Sequence, residues 1–376
     1  MRILILTKRQ YTNLDLLNDR FGRLRELPLA LARLGHYVAG ICLSYHSREE
    51  GMIEDADEKG KVIWHSMNFR RLLPVGRDSY WRKVRQIGRE FKPDLIWACS
   101  DAIHAVIGAR FARQLNTCLV VDLYDNFESF GLTRIPGIQP SFRRALRRAD
   151  GITCVSNPLS HYVRETTSYK GHVEVIENAV PKGLFRLMGK SVCRRKLRLP
   201  DDSYIIGTAG ALSKSRGIET LFQAFEILAQ ERLDIHLALA GPLDKGLKLP
   251  AGDRVHYLGI MSPHHVPGFL CSLDINVICN KDSAFGKYCF PQKFYEAVAC
   301  RIPVVAAATG VMRELLDDEP QCLFEPENVE DLAATLRSQL AHPTVLNWPV
   351  PTWNELGARL DSFLGIIFTH RVKREM

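Results

Sequence analysis

The stretch Phe285–Thr309, FGKYCFPQKFYEAVACRIPVVAAAT, gathers residue types suited to holding a phosphorylated ligand. Proline is favoured at the first helical position, where its missing N–H is not needed. The pattern therefore predicts a helix that begins at Pro291 and leaves the N–H groups of Gln292 and Lys293 free. A helix N-terminus reached through a glycine-bearing loop attracts phosphate, because its unpaired N–H groups and its dipole both favour negative charge. Glu296, one turn further on, is placed to accept hydrogen bonds from a ribose diol. The same residues also describe an ordinary helix carrying a solvated Lys293–Glu296 pair.

The first half of the chain offers a second set. VVDLYDNFESF leaves an apolar run with Asp122, Tyr124, Asp125 and Glu128 close together. Polar residues just past the C-terminal end of a parallel strand lie where open α/β sheets bind ligands. Asp and Asn are equally common as turn and cap residues. Gly22 opens a helical pattern beside Arg23 and Arg25, which reads either as an anion site or as a capped helix with solvated arginines. Asn68–Lys92 is the most basic segment (Arg70, Arg71, Arg77, Arg82, Lys83, Arg85, Arg89, Lys92), interleaved with Phe69, Leu72, Leu73, Tyr80, Trp81 and Phe91. Such a mixture suits a membrane interface or an acidic acceptor, and equally a solvated outer face.

These residues need strands and helices to position them. Ile3–Leu6, a helical pattern over Phe21–Leu34 stopping at Gly35, and Tyr37–Leu43 make a β-α-β unit. Asp94–Cys99, His104–Leu115 and Cys118–Leu123 repeat it, and Ile152–Val155 and Val173–Ile176 add strands. Glu49–Lys61 reads as an exposed loop, and residues 178–202 as an interdomain connection without periodicity. A second α/β series starts at Tyr204–Thr208, with a polar loop GALSKSRG (Gly210–Gly217), a helix over Ile218–Gln230 and a strand at Ile235–Ala240. Val255–Leu258, Asp274–Cys279 and Val304–Ala307 are its further strands. Alternation of this kind specifies parallel sheets covered by helices.

At 376 residues the chain is long enough for two domains. Its ten cysteines are scattered without a C-x-x-C pair, and several sit in apolar runs. Reduced thiols that pack as small hydrophobes point to a cytoplasmic protein and away from a zinc site or a disulfide framework. No stretch approaches the roughly eighteen uninterrupted apolar residues of a membrane span. The net charge of +8 is one-sided: residues 1–190 carry 30 Lys and Arg against 20 Asp and Glu, and residues 191–376 carry 20 against 22. A basic first half suggests an anionic partner there. Nucleic acid is disfavoured, because no recognition motif accompanies the charge.

Taken in order, four segments of the second half resemble the nucleotide-sugar domain of GT-B glycosyltransferases, in the large retaining family that includes many bacterial polysaccharide transferases. They are GTAGALSKSRGIETLFQAF, LALAGP, VHYLGIMSPHHVPGFLCSLDINVIC and FPQKFYEAVACRIPVVAAATGVMRELL. FGRLRELPLALARLGHYV is similar to the family's N-terminal glycine loop, and TWNELGARLDSFL to its C-terminal crossing helix. The resemblance implies an α/β GT-B fold: two Rossmann-like domains facing a cleft. Residues 1–185 would bind acceptor, 186–350 would bind nucleotide sugar, and 351–376 would pack back on the N-terminal domain.

The implied activity is transfer of a sugar, with retention, from a UDP- or GDP-sugar to a glycan or lipid-linked acceptor, in polysaccharide or lipopolysaccharide synthesis. The implied placement is cytoplasmic, peripheral on the inner face of an anionic membrane. Arg216 matches the family's diphosphate-binding lysine, Gly210 the close-approach glycine of that loop, Glu296 the ribose-binding glutamate and Gly22 the glycine loop that faces the sugar phosphate. Gly259 lies in the base-binding region, and Pro291, Gln292 and Lys293 form the phosphate-binding helix start. Asp125 stands where the family often has an acidic residue beside its histidine. Asp125, Glu128 and Arg216 are the candidate catalytic residues, and no metal ligand is expected. The chain departs from the pattern at Ala211 (family arginine, with Lys214 nearby to supply the charge), Tyr288 (family glutamate) and Tyr124 (family histidine). These departures support an alternative, a non-catalytic GT-B scaffold that binds nucleotide or a partner subunit; a third reading, a sugar-nucleotide epimerase of the same architecture, needs carboxylates and a histidine that the sequence does not place.

Overall fold

The computed structural model describes residues 1–11, 14–69, 77–129, 133 and 135–375. The chain divides into two compact units: residues 1–178 together with the chain from Trp353 onward, and Ala179–Thr352.

Unit 1 begins with β1 (Arg2–Lys8), the small hairpin β2 (Gln10–Tyr11) and β3 (Leu14–Asp15), and α1 (Arg23–Arg33). It continues through β4 (Tyr37–Ser44), β5 (Gly51–Ala56), β6 (Lys61–Asn68), α2 (Arg77–Phe91), β7 (Leu95–Ala98) and α3 (Ala102–Leu115). β8 (Cys118–Leu123), α4 (Ile138–Arg148), β9 (Gly151–Cys154), α5 (Asn157–Thr167) and β10 (His172–Val175) complete the series. The eight-stranded sheet has the order β10-β9-β8-β7-β1-β4-β6-β5, parallel except for β5. Strands covered on both faces need continuous apolar sequence. Ile3–Leu6 and Leu95–Ala98 accordingly have almost no exposed surface. Gly40 of β4 leaves room for Trp64 of β6, whose ring lies where a Cβ would stand.

Unit 2 contains α6 (Lys190–Leu197), β11 (Tyr204–Ala209), α7 (Ile218–Glu231), β12 (Ile235–Ala240), β13 (Val255–Tyr257), α8 (Val266–Ser272) and β14 (Ile275–Ile278). α9 (Ala284–Tyr288), α10 (Gln292–Ala299), β15 (Val304–Ala307), α11 (Val311–Leu315), β16 (Leu323–Phe324) and α12 (Val329–Ala341) follow. Its sheet is wholly parallel, in the order β13-β12-β11-β14-β15-β16. Two apolar cores fill its faces, one around Phe222, Phe225 and Leu336, the other around Phe269, Leu270 and Ile302.

α13 (Trp353–Glu375) then packs on α1 within unit 1. Gly357 permits the approach, since a Cβ there would come within 2.4 Å of the Ala30 methyl. His36 meets Asp361 at 2.7 Å, and Arg359 pairs with Glu177 at 3.1 Å. Both sheets reverse direction at their first strand: β1 lies between β4 and β7, and β11 between β12 and β14. At such switch points adjacent loops diverge and open a crevice at the strand C-termini.

Three local readings change. Glu49–Lys61 is not a loop but holds β5, a polar antiparallel edge strand. Charged edge strands protect a sheet from further pairing, and their exposed face hides the apolar alternation. Residues 178–202 contain α6, anchored not by an apolar stripe but by buried Arg194, which pairs with Asp274 at 2.6 Å and donates to three carbonyls. The polar run before Pro291 holds the short helix α9.

Candidate functional site

In unit 2 three segments converge at the switch point. The loop after β11 turns at Gly210, with φ +118°, and its N–H donates to the Ala240 carbonyl. Gly241 packs so closely on it that a Cβ there would lie 2.0 Å from the Gly210 oxygen. Gly217 ends the loop at φ +74°, and a Cβ on it would strike the Cys279 carbonyl at 2.2 Å. Glycine at these positions thus lets the β11 loop lie directly against the chain leaving β14. The Arg216 guanidinium sits over the Phe285 ring of α9 at 4.7 Å. Lys214 is exposed and pairs with Glu219 at 2.9 Å, so it is already neutralised on the outer side of the loop.

α10 starts at Gln292, with Pro291 as its extended cap instead of its first residue. The N–H of Phe294 makes the first bond of the helix, to the Pro291 carbonyl at 2.8 Å, so the N–H groups of Gln292 and Lys293 precede the ladder. The Lys293–Glu296 pair is neither solvated nor in contact. Each is half-buried, and among the described residues neither forms an ion pair. Burial lowers the Lys293 ammonium from its ordinary value, and the nearby Arg216 charge lowers it further. Burial pushes the Glu296 carboxyl up to about 7, against the opposing pull of Lys293 and a 3.2 Å hydrogen bond from Gln292. Two like charges, Arg216 and Lys293, are therefore held near one another, and among the described residues neither forms an ion pair. Gly259 follows β13 at φ +69° with open space on its Cβ side, and its carbonyl accepts from Gly241 N–H at 2.7 Å.

In unit 1 the corresponding charges are paired internally. Gly22 caps α1 at φ +85°, and its carbonyl accepts from Arg25 and Glu26. Neither arginine beside it is solvated or open to an anion. Arg23 is fully buried, bonding Asp122 at 2.8 Å and the Ile176 carbonyl at 2.9 Å, while Arg25 pairs with Asp55 and Glu26. Asp122 is a strand residue with no exposed surface, also bonded by Thr153 at 2.7 Å. Glu128 accepts from Arg143 through both oxygens at 2.7 Å, from Tyr162 at 2.9 Å and from Gln139 at 3.2 Å. Burial alone would raise its carboxyl, but these donors outweigh that and hold it below its ordinary value. Such a group makes a poor base, so the geometry gives Glu128 an anchoring role, set apart from Asp125.

Asp125 is buried and accepts from Asn126 N–H at 2.8 Å. Beside it Tyr124 donates to the Ser100 carbonyl at 3.0 Å. Two residues unmarked by the sequence reading complete this group. Lys8, the last residue of β1, lies near Asp101 and Asp125 and 5.6 Å from the Tyr124 ring centre. Asp101 caps α3 and binds His104 Nδ1 at 2.7 Å and Tyr45 Oη at 2.9 Å. The available signal was a lysine closing an apolar strand and an aspartate opening a helix, which ordinary proteins show everywhere.

The basic stretch 68–92 is an ordinary amphipathic face where described. Arg82, Arg85 and Arg89 of α2 are exposed, while Tyr80 is buried and Trp81 packs on Phe111. Phe91 lies under Arg2. Arg70, Arg71, Leu72 and Leu73 lie outside the described residues, as does the side chain of Arg77. A cavity of about 940 Å³ opens near Arg2, Tyr37, Lys61 and Phe91, at the N-terminal ends of the unit 1 strands and away from that unit's switch point. No helix among the described residues is long and apolar enough to cross a membrane.

Two family models match the chain, one unit each: glycosyl transferases group 1 over residues 203–342 and glycosyltransferase family 4 over residues 23–182. The chain is a GT-B glycosyltransferase. The enzyme is 22% identical over 326 residues to a Bacillus subtilis (strain 168) protein named as a teichuronic acid biosynthesis glycosyltransferase, TuaC, covering 81% of each chain. It is 26% identical over 270 residues to a D-inositol 3-phosphate glycosyltransferase of Arthrobacter sp. (strain FB24), covering 65% of this chain and 63% of that one. Among solved structures, sucrose-phosphate synthase from Thermosynechococcus elongatus superimposes with a TM-score of 0.72 at 19% identity, over 100% of this transferase and 98% of that chain. HepE of Anabaena in complex with UDP gives 0.66 at 19% identity, over 100% and 99%.

Proposed function

We propose that this glycosyltransferase takes a nucleoside-diphosphate sugar, a UDP- or GDP-sugar, into unit 2 and passes the sugar with retention to a glycan or lipid-linked acceptor bound by unit 1. The observation that carries the donor half is the pair Arg216 and Lys293, two cations near one another that form no ion pair among the described residues. Holding like charges together in a partly dry site is unfavourable until an anion neutralises them. Together with the first N–H groups of α10 they match a diphosphate. Glu296 behind them suits the ribose, and the turn at Gly259 suits the base.

In the reaction the bond from the anomeric carbon to the diphosphate oxygen breaks and a bond to an acceptor hydroxyl oxygen forms. The charge that grows on the diphosphate is stabilised by fixed cations and N–H dipoles already in place. The acceptor proton passes to the leaving phosphate, with Asp125 orienting the sugar. The name of HepE's complex, with UDP, and that of TuaC, in teichuronic acid biosynthesis, agree with such a donor and with a polysaccharide-type acceptor.

The test is a thermal-shift panel of UDP, GDP, ADP, CDP and their common sugars, since a ligand of the native state raises its melting temperature. A rise with UDP or GDP and their sugars, lost in Arg216→Ala, is expected. No rise with any nucleotide would overturn the donor assignment.

A further inference from the structure

We propose that Phe285 is a positioning residue for donor binding: its ring locates the Arg216 guanidinium without neutralising it, so that the charge and its N–H donors stay available to the diphosphate. This rests on the reading of Arg216 as a diphosphate ligand.

The other cations of these loops each meet a carboxylate. Lys214 pairs with Glu219 at 2.9 Å, Lys281 with Glu327 at 2.8 Å and Lys287 with Asp282 at 3.4 Å. Arg216 forms no ion pair among the described residues and instead lies over the Phe285 ring, 4.7 Å from its centre. The ring thus does for Arg216 what a carboxylate does for its neighbours, with one difference. A carboxylate cancels the charge and accepts the N–H donors, whereas an aromatic face attracts the cation through its quadrupole and leaves both for a ligand.

Both partners are anchored to the same piece of chain. Gly217, next to Arg216, lies on the Cys279 carbonyl. Phe285 belongs to α9, which is capped by Ser283, whose Oγ accepts from Gly286 N–H at 3.2 Å. Gly286 itself packs on the Lys281 carbonyl, where a Cβ would stand 2.0 Å from the oxygen. Gly310, at the start of α11, fits as closely against the Lys287 and Gly286 carbonyls, a Cβ there falling at 2.5 and 2.6 Å. Backbone contacts therefore fix the ring relative to the loop that carries Arg216. The positive charge of Lys293 nearby favours an Arg216 side chain turned away to solvent until an anion arrives. The ring opposes that movement. Holding the side chain in the free protein also removes part of the entropy cost that nucleotide binding would otherwise meet. An arginine suits such a place better than a lysine, because its guanidinium stacks on a ring and still presents a fork of donors to phosphate.

The test is a double-mutant cycle on the full chain, read by calorimetry with UDP and GDP. Phe285→Leu, which keeps an apolar side chain without the ring, is expected to weaken nucleotide binding roughly 3- to 30-fold. Phe285→Tyr, which keeps the ring face, should stay within about twofold of the native chain. In an Arg216→Ala background the Phe285→Leu change should cost less than about twofold, because its partner is already gone. Melting temperatures without nucleotide establish that each variant is folded, and Phe285→Met replaces Phe285→Leu if that one is not. An equal loss from Phe285→Leu in both backgrounds would reduce Phe285 to ordinary packing and overturn the proposal. So would no loss from Phe285→Leu, or a loss as large from Phe285→Tyr. If Arg216→Ala weakens binding while the cycle shows no coupling, this inference fails alone. If the native chain binds neither nucleotide, or Arg216→Ala binds as well as the native chain, the reading of Arg216 fails and this inference goes with it.

Discussion

The two switch points have the same topology and opposite electrostatics. In unit 2 the cations Arg216 and Lys293 stand near each other and, among the described residues, form no ion pair, while the carboxyl of Glu296, close to Lys293, is pushed up to about 7. In unit 1 the charges are mostly satisfied internally: Arg23 by Asp122, Arg25 by Asp55, Glu128 by Arg143. A site whose charges are unpaired is prepared for a charged ligand, and one whose charges are consumed by the scaffold recognises by hydrogen bonding. The same residue types, arginine and carboxylate beside a glycine-led helix, thus serve the ligand in one unit and the architecture in the other.

The largest effect expected from this contrast is on stability. Arg23→Met leaves the Asp122 carboxylate buried, with Thr153 as its remaining side-chain partner among the described residues. Breaking a buried pair from one side costs about 3–5 kcal/mol. Denaturant unfolding measures the loss, and Arg23→Met/Asp122→Leu recovers much of it. A loss under about 1 kcal/mol would show that unit 1 does not depend on this pair.

Next comes ligand binding. Arg216→Ala and Lys293→Met each remove a charge-assisted contact, worth about 1.5–3 kcal/mol, so nucleotide affinity should fall roughly 10- to 100-fold by calorimetry. Lys214→Ala should change it by less than about threefold, because Lys214 is exposed and paired with Glu219. Equal losses from Lys214 and Arg216 would erase the distinction between the inner and outer cations of the loop.

A smaller effect concerns pH. With its carboxyl raised to about 7, Glu296 is protonated in the empty protein below that pH and is then a weaker acceptor for ribose hydroxyls. Nucleotide affinity therefore rises as pH increases from about 6 to 8, by up to tenfold per unit on the acid side. The stability sign is opposite. Between the ordinary carboxyl value of 4.5 and about 7 the folded protein keeps a proton that the unfolded chain has released, so stability falls as pH rises through that window. Glu296→Gln should remove both dependences together. A pH profile that survives the substitution would assign the titration to the diphosphate or to Lys293.

The legible and illegible parts of the site divide along the same contrast. The helix start and the loop glycines of the proposed donor site in unit 2 could be read in advance, because they are local features: glycines with positive φ and a proline before a helix. Strands such as Ile3–Leu6 and Val304–Ala307 were readable as continuous apolar runs. Arg23, Asp122 and Glu128 looked like site residues because sequence shows charge but not its partner, and their partners lie 99 residues away for Arg23 and 15 for Glu128. Lys8 was invisible for the converse reason. Its neighbours Asp101 and Asp125 are remote in sequence, and only the sheet order β4-β1-β7-β8 brings them beside it.

The smallest expected effect is the surface one, and it separates charge from insertion. Exposed Arg82, Arg85 and Arg89 on α2 and Arg144, Arg147 and Arg148 on α4 give unit 1 basic outer faces, while Tyr80, Trp81 and Phe142 point inward. With the aromatic residues turned inward, attraction to anionic lipid on these faces is electrostatic, worth about 1 kcal/mol per basic residue near the surface and screened within a Debye length of roughly 10 Å at 0.1 M salt. Cosedimentation with phosphatidylserine-containing vesicles should accordingly be measurable at low salt, fall away by about 0.3 M, be absent with phosphatidylcholine alone, and weaken in Arg144→Gln/Arg147→Gln/Arg148→Gln. Salt-resistant sedimentation would mean that apolar residues enter the lipid, and the basic faces of α2 and α4 would then not be the surface that makes the contact.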